Sequence, residues 1–530
     1  MASSGGGAGD VVGLIYLAMA RKQRAPERWF EAMRALFGQA QFLAAGDVYD
    51  AAIDAGATPT YDAQLLAARV LLKRDENRAV AFLIRRPPRA NARRERAEWA
   101  LLLAIGYARM RDFERADHHF EMAKRLVTTP ADRATLVYQL ARRYMLEKRL
   151  DEARRWASEM GVDKSLAARI RHELLESFIL SHEERYREEV ESLIRAIKLI
   201  GKHREAHIEE WFHAVQNLAL LGRELVFPEA VDLARNEVDQ DIEWPPDFAD
   251  QHFHALKAVG WSCALRGDLL GCFRYLRAAE RTEASQAFEA MVLVDRSYFA
   301  RIVGEHNWSA NEVAKAEAIA DRIDWNELAG DERVGLLLLA EATAEYNTEK
   351  AHFYLARYKG LDRIRSAVHL FAFDQRCEAF ANYCEGVVKL KSGEPGAEEA
   401  LRKAWVVFDR IGYDWRAGRT ALLLLEATKK ERWGHLAEDK LEPYPRSWLA
   451  RTVAEQQKPQ TPVVKLPPMQ RKVLDLLCRK MSTGEIAQHL GLSPHTIRNH
   501  LKAVFRAYRV NNRAALVAEI ALRGELTFSS

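Results

Sequence analysis

In the segment "SPHTIRNHLKAVFRA" the side chains of His495, Arg498, Asn499 and Lys502 recur at intervals of three and four residues. They therefore share one face of any helix the segment forms. Arg and Asn carry forked polar groups that match the edges of guanine and adenine, and Lys adds a mobile cation. This set suits the reading of base edges in a major groove. Arg498, Asn499 and Lys502 are the candidate base contacts. Ser493, Thr496, His500, Arg506 and Arg513 are the candidate phosphate contacts, because they lie at the start of the same element, on its flank or just beyond it.

Such a face needs a rigid helix behind it, and the flanking residues supply the signals. "STGEIAQHLGLSPHTIRNHL" starts with Ser482 and places Glu485 three residues later, the pattern of a reciprocal capping box. Gly491 provides the left-handed stop. Ser493 caps a second helix, with Pro494 at its first position, where the missing N–H costs nothing. Ile486, Ala487 and Leu490 share one face of the first helix, and Ile497, Leu501 and Val504 one face of the second. Ala487 is small where the helices cross, and Leu492 plugs the turn. The spacing predicts helix, tight turn and helix with a core of about residues 482–505.

These motifs, with "RKVLDLL" before them and "FRAYRVNNRAALVAEIAL" after, resemble the LuxR-type (GerE-type) helix-turn-helix domain over roughly Leu466 to Leu526. The resemblance implies a four-helix DNA-binding module whose second hairpin helix reads bases. It also implies pairing on DNA through a fourth helix starting near Arg513 and including Leu516, Val517 and Ile520. The sequence departs from the family pattern at Pro468–Arg471, at Met481 and at Ala507–Tyr508, all outside the reading face.

Charge follows the same division. From Lys465 onward there are eleven Lys/Arg against four Asp/Glu, a balance of +7, so the remainder carries −3 of the overall +4. Basic charge concentrates where phosphate would be met. The five cysteines are odd in number and form no C-x-x-C pair, which fits thiols in a reducing cytoplasm. The apolar "VVGLIYLAMA" has no positive charge before it and does not read as a signal peptide. No run approaches the ~18 apolar residues a membrane span needs. A cytoplasmic protein without membrane contact is expected.

Residues 11–453 read as helix after helix. "LAIGYARMRDFERADHHFEMA" and "LARRYMLEKRLDEARRWASEM" repeat small residues (Ala104, Ala116; Ala141, Ala153) that let paired helices approach. "VGWSCALRGDLLGCFRYLRAA" places Gly260, Cys263, Gly267 and Cys272 likewise. These segments resemble degenerate tetratricopeptide repeats, which implies stacked helix pairs with an extended concave surface. The stretch "FPEAVDLARNEVDQDIEWPPDF" is expected to interrupt the array. "LEPYPRSW" is where the array is expected to close. Residues 1–10 read as a flexible tail, 454–465 as a proline-rich linker, and 466–530 as the DNA-binding domain. The expected fold class is all-α, an α-solenoid joined to a small four-helix domain.

No enzyme site emerges. "GGGAG" is followed by no Lys-Ser/Thr and is not a phosphate loop. His203, His207 and Glu210 share a helix face but lack supporting metal ligands. No catalytic residue, metal or cofactor is expected. The reading is a DNA-binding transcriptional regulator, a homodimer on double-stranded DNA, whose array senses a peptide, a protein or a small-molecule effector. The alternative is a helical-repeat adaptor or anti-activator whose helix-turn-helix mediates protein contacts. Against it, the second helix presents Arg, Asn and Lys where a protein contact would be apolar.

Overall fold

The chain between Tyr107 and Asp112 shows how the array is built. Helix Arg93–Arg109 ends, Arg111 takes a left-handed φ of 61°, and the N–H of Asp112 donates to the Tyr107 carbonyl across 2.9 Å. This six-residue closure satisfies a terminal carbonyl and reverses the chain into helix Phe113–Leu126. It recurs at Tyr144/Arg149, Leu180/Arg185, Gly222/Phe227, Cys263/Asp268, Ala300/Glu305 and Phe408/Tyr413, with N···O distances of 2.8–3.0 Å. The left-handed residue always precedes the donor: Lys148, Glu184, Val226, Gly267, Gly304 and Gly412. One local solution, repeated, gives a run of hairpins. Glycine serves this position at 267, 304 and 412, and Arg, Lys, Glu or Val serves it elsewhere.

The computed structural model describes residues 26–160, 165–240, 242–282, 284–328, 330–361, 375–445, 447–450, 452, 464, 466–478, 481–508, 510–513 and 515–516. It is all-helical across these residues. The tail expected at 1–10, nearly all of the linker expected at 454–465, and Val517 and Ile520 lie outside the described residues. The chain divides into two compact units, Met1–Glu455 and Gln456–Ser530.

In the first unit, helices pair as expected of a helical-repeat fold, for example Ala249–Leu265 with Leu269–Glu280. Small residues sit where the partners cross. A Cβ on Gly260 would lie 3.2 Å from that of Tyr275, and one on Gly386 only 2.5 Å from Leu401 Cγ. The expected interruption is corrected in part: Pro228–Val238 is a regular helix with Pro228 in its first turn, following the same left-handed turn at Val226. Trp244, beyond it, packs on Phe212 and stacks on His252.

The array also returns on itself. The Leu43 amide donates to Asp247 (3.1 Å), Arg187 pairs with Asp414 (2.8 Å), and Arg416 grips buried Glu224 through two bonds of 2.8 and 3.0 Å. At "LEPYPRSW", Leu441, Tyr444 and Trp448 are buried, and the Trp448 indole donates to the Tyr298 hydroxyl (3.0 Å). The array lines a partly open cavity of about 830 Å³.

Two stability predictions follow from these contacts. Gly386→Ala must push Leu401 aside and should cost about 1–3 kcal/mol, whereas Lys148→Gly relieves a left-handed side chain and should gain about 1 kcal/mol. Thermal unfolding of both variants should move in opposite directions. Burial also raises the pKa of the Glu189 carboxyl to about 8, against a smaller opposing effect of Arg376. The folded chain then holds a proton that the unfolded chain releases near pH ~4.3. This contribution is fully present below that pH and is lost as pH rises towards 8, by at most about 1.4 kcal/mol per unit. Compared at pH 5 and pH 8.5, the melting point of Glu189→Gln should gain on the parent at the higher pH. An unchanged gap would contradict the assignment.

Candidate nucleic-acid interface

In the second unit, helix Pro468–Cys478 contributes buried Val473, Leu474, Leu476 and Leu477 to a small core. Helix Thr483–Leu490 is fixed at its start by the expected capping box. The Ser482 N–H donates to Glu485 Oε2 (2.7 Å), and the Glu485 N–H donates to Ser482 Oγ (3.3 Å). The bond from the Ser482 amide holds the Glu485 carboxyl below its ordinary pKa. Gly491 follows with φ 65°, and the Leu492 N–H closes on the Ala487 carbonyl at 2.9 Å, the same turn the array uses. Leu492 packs half-buried against the core.

Helix Pro494–Ala507 begins with Ser493 Oγ accepting the Thr496 N–H (3.1 Å). The Ser493 and Thr496 hydroxyls lie 2.8 Å apart, so one O–H is spent between them and the other can turn outward. Ile497, Leu501 and Val504 are buried, which fixes the rotation of the helix. The opposite face presents His495, Arg498, Asn499, Lys502 and Arg506 to solvent, with Thr496 and His500 half-buried at its edge. Among the described residues no carboxylate pairs with Arg498, Lys502 or Arg506. In this unit Asp475 lies 3.6 Å from Arg471, and Glu485 is occupied by its cap. The exposed cations are free to meet an external anion.

Two residues differ from the sequence reading. Tyr508, noted only as a departure, is 1% exposed and completes the core beside Val504. Arg513, expected on phosphate, turns inward: its Nη2 donates to the carbonyls of Leu477 (3.1 Å) and Met481 (2.9 Å). A cation over these carbonyls at and after the end of Pro468–Cys478 ties the first helix to the chain after the third. No local pattern in the sequence marks this role. Asn512 caps the following turn by accepting the Ala515 N–H (2.8 Å), and Leu516 is fully buried.

Arg513→Ala should therefore destabilise this unit by about 1–3 kcal/mol, since two carbonyls lose their donor. Arg506→Ala should leave its stability within about 0.5 kcal/mol. Hydrogen exchange at the core amides of Leu474 and Leu477 reads the difference; equal protection in both variants would exclude a structural role for Arg513.

Residues 465–520 match the model of the family described as bacterial regulatory proteins, luxR family. The spore germination protein GerE of Bacillus subtilis (strain 168) is 37% identical over 57 residues, which make up 11% of this chain and 77% of that protein. A chain in the crystal structure of the APC/C hetero-tetramer Cut9-Hcn1 overlays at 15% identity with a TM-score of 0.35, covering 96% of this chain and 92% of that one. That overlay is too loose to carry an argument. The helix-turn-helix geometry and the match to GerE agree, and the chain belongs to the LuxR family of bacterial regulatory proteins.

Proposed function

We propose that this regulator binds double-stranded DNA as a cytoplasmic homodimer and that its helical array senses an effector. One observation carries the DNA reading: a solvent-facing Arg498, Asn499 and Lys502 on a helix locked by Ser493, Pro494 and its buried face. In the major groove these three reach base edges. Ser493, Thr496, His500 and Arg506 border them and serve the phosphates, while Arg513 serves the scaffold. The adaptor alternative is disfavoured because the exposed face offers no apolar anchor.

One recognition helix covers only a few base pairs, so two copies on half-sites about one DNA turn apart give an adequate address. Buried Leu516 is unavailable for pairing. The pairing surface is assigned to the segment following it. Control by the array requires an effector that prefers one of two states of the whole chain.

Arg498→Ala should weaken operator binding by about 1–3 kcal/mol and relax selectivity at one base position. Arg506→Ala should weaken all sequences alike and lower the salt slope by about one. Anisotropy titrations on matched and scrambled duplexes separate the two; full selectivity in Arg498→Ala would sink the base-reading assignment. For control, residues 456–530 alone are compared with the full chain on one operator. Tighter binding by the fragment supports masking by the array, and equal binding removes it.

A further inference from the structure

The partly open cavity lined by the array carries unbalanced charge. Its described lining includes eight Lys or Arg against five Glu, and one of those, Glu189, is held largely protonated near neutrality. Most cations there are matched within the protein. Arg69 pairs with Glu98 (2.8 Å), Lys73 with Glu209, Arg171 with Glu210 (3.5 Å), and Arg223 and Arg416 share Glu224. Arg109 and Arg142 are different: among the described residues neither has a carboxylate partner. Arg109 spends one N–H on the Leu72 carbonyl. Arg142 is exposed, with its guanidinium 5.6 Å from the Tyr138 ring centre.

These two sit close enough to repel. Burial lowers the pKa of Arg109 to about 10, and the charge of Arg142 adds to the effect, against smaller opposing effects of Glu76 and Glu209. Lys73, 28% exposed in its side chain yet surrounded by protein, is also lowered by burial, with Arg109 and Arg142 contributing. A fold that gathers like charges around one pair-forming Glu209 gains when an anion joins them. Ile105 and Phe178 line the same cavity and are only half-buried. The volume falls in the range of small-molecule sites.

We propose that this cavity binds a small amphipathic anion, a carboxylate or phosphate carried on an apolar body, with Arg142 and Arg109 receiving the anionic group and Ile105 and Phe178 the apolar part. This rests on the reading of the array as a sensor and supplies the chemistry of its effector. Guanidinium pairs favour oxyanions through forked donation, and closure of the array on itself suits a small ligand.

The test is calorimetry on the full chain with octanoate, octyl phosphate, octylammonium and octan-1-ol. At least one of the two anions should bind once per chain, and the stronger of them tells carboxylate from phosphate; the cation and the alcohol should not bind. Arg142→Ala, an exposed site without an ion pair, should melt like the parent and bind the anion about tenfold more weakly, while Arg142→Lys should recover part of the loss. Failure of both anions, equal binding of the alcohol, or unchanged affinity in Arg142→Ala would each overturn the assignment. Operator affinity, measured with and without the bound anion, reports separately on sensing. Anion binding that leaves operator affinity unchanged removes the sensor reading but keeps the cavity's chemistry.

Discussion

A helix that ends leaves carbonyls without partners, and this chain meets that constraint with one repeated device. A left-handed residue lets the next N–H reach the carbonyl five positions back, and the following helix starts soon after. The closure at Arg111–Asp112 in the array and the one at Gly491–Leu492 in the helix-turn-helix are the same geometry. Without it the array would have no regular pairing, and the recognition helix would not be set against Ile486 and Ala487. The close helix crossings at Gly260 and Gly386 depend on it, because only a short turn brings partners near enough to need a missing side chain.

Charge is handled in opposite ways in the two units. In the array, Arg and Glu are largely spent on one another, and the pairs between distant segments, such as Arg416 with Glu224 and Arg187 with Asp414, bend the row of hairpins back. Arg416 and Glu224 are mostly buried and costly to leave alone, so that pair also specifies where the chain returns, whereas the largely exposed Arg187 adds little. Among the described residues of the second unit, Glu485 caps a helix and Asp475 lies near Arg471 of its own helix, while Arg498, Lys502 and Arg506 of the recognition helix remain exposed. An excess of unpaired cation is unfavourable within one folded unit and becomes favourable when a polyanion is nearby.

Much of this was legible in the sequence. Ser482, Glu485, Gly491, Ser493 and Pro494 define the two helices by local rules alone, and the structure realises each. The apolar spacing likewise fixed which face of Pro494–Ala507 is buried, and so which residues are exposed. What was not legible depends on distant partners. Arg513 looks like one more basic residue until Leu477 and Met481 supply its acceptors, and Lys148 looks like an ordinary surface residue until its φ is known. The cavity is lined by residues distant in the sequence, such as Glu224 and Arg416, which pair across 192 positions. No periodicity reports that return, so the sequence implied only an extended concave surface.

The central claim is that sequence-selective DNA binding resides in the exposed face of Pro494–Ala507. Genome-wide occupancy mapping of the parent chain and of a double variant, Arg498→Ala with Lys502→Ala, tests it most directly. The account predicts discrete parental sites sharing a short sequence motif, and loss of those sites in the variant at equal protein abundance. Parental occupancy without a shared motif, or sites that persist in the variant, would contradict it.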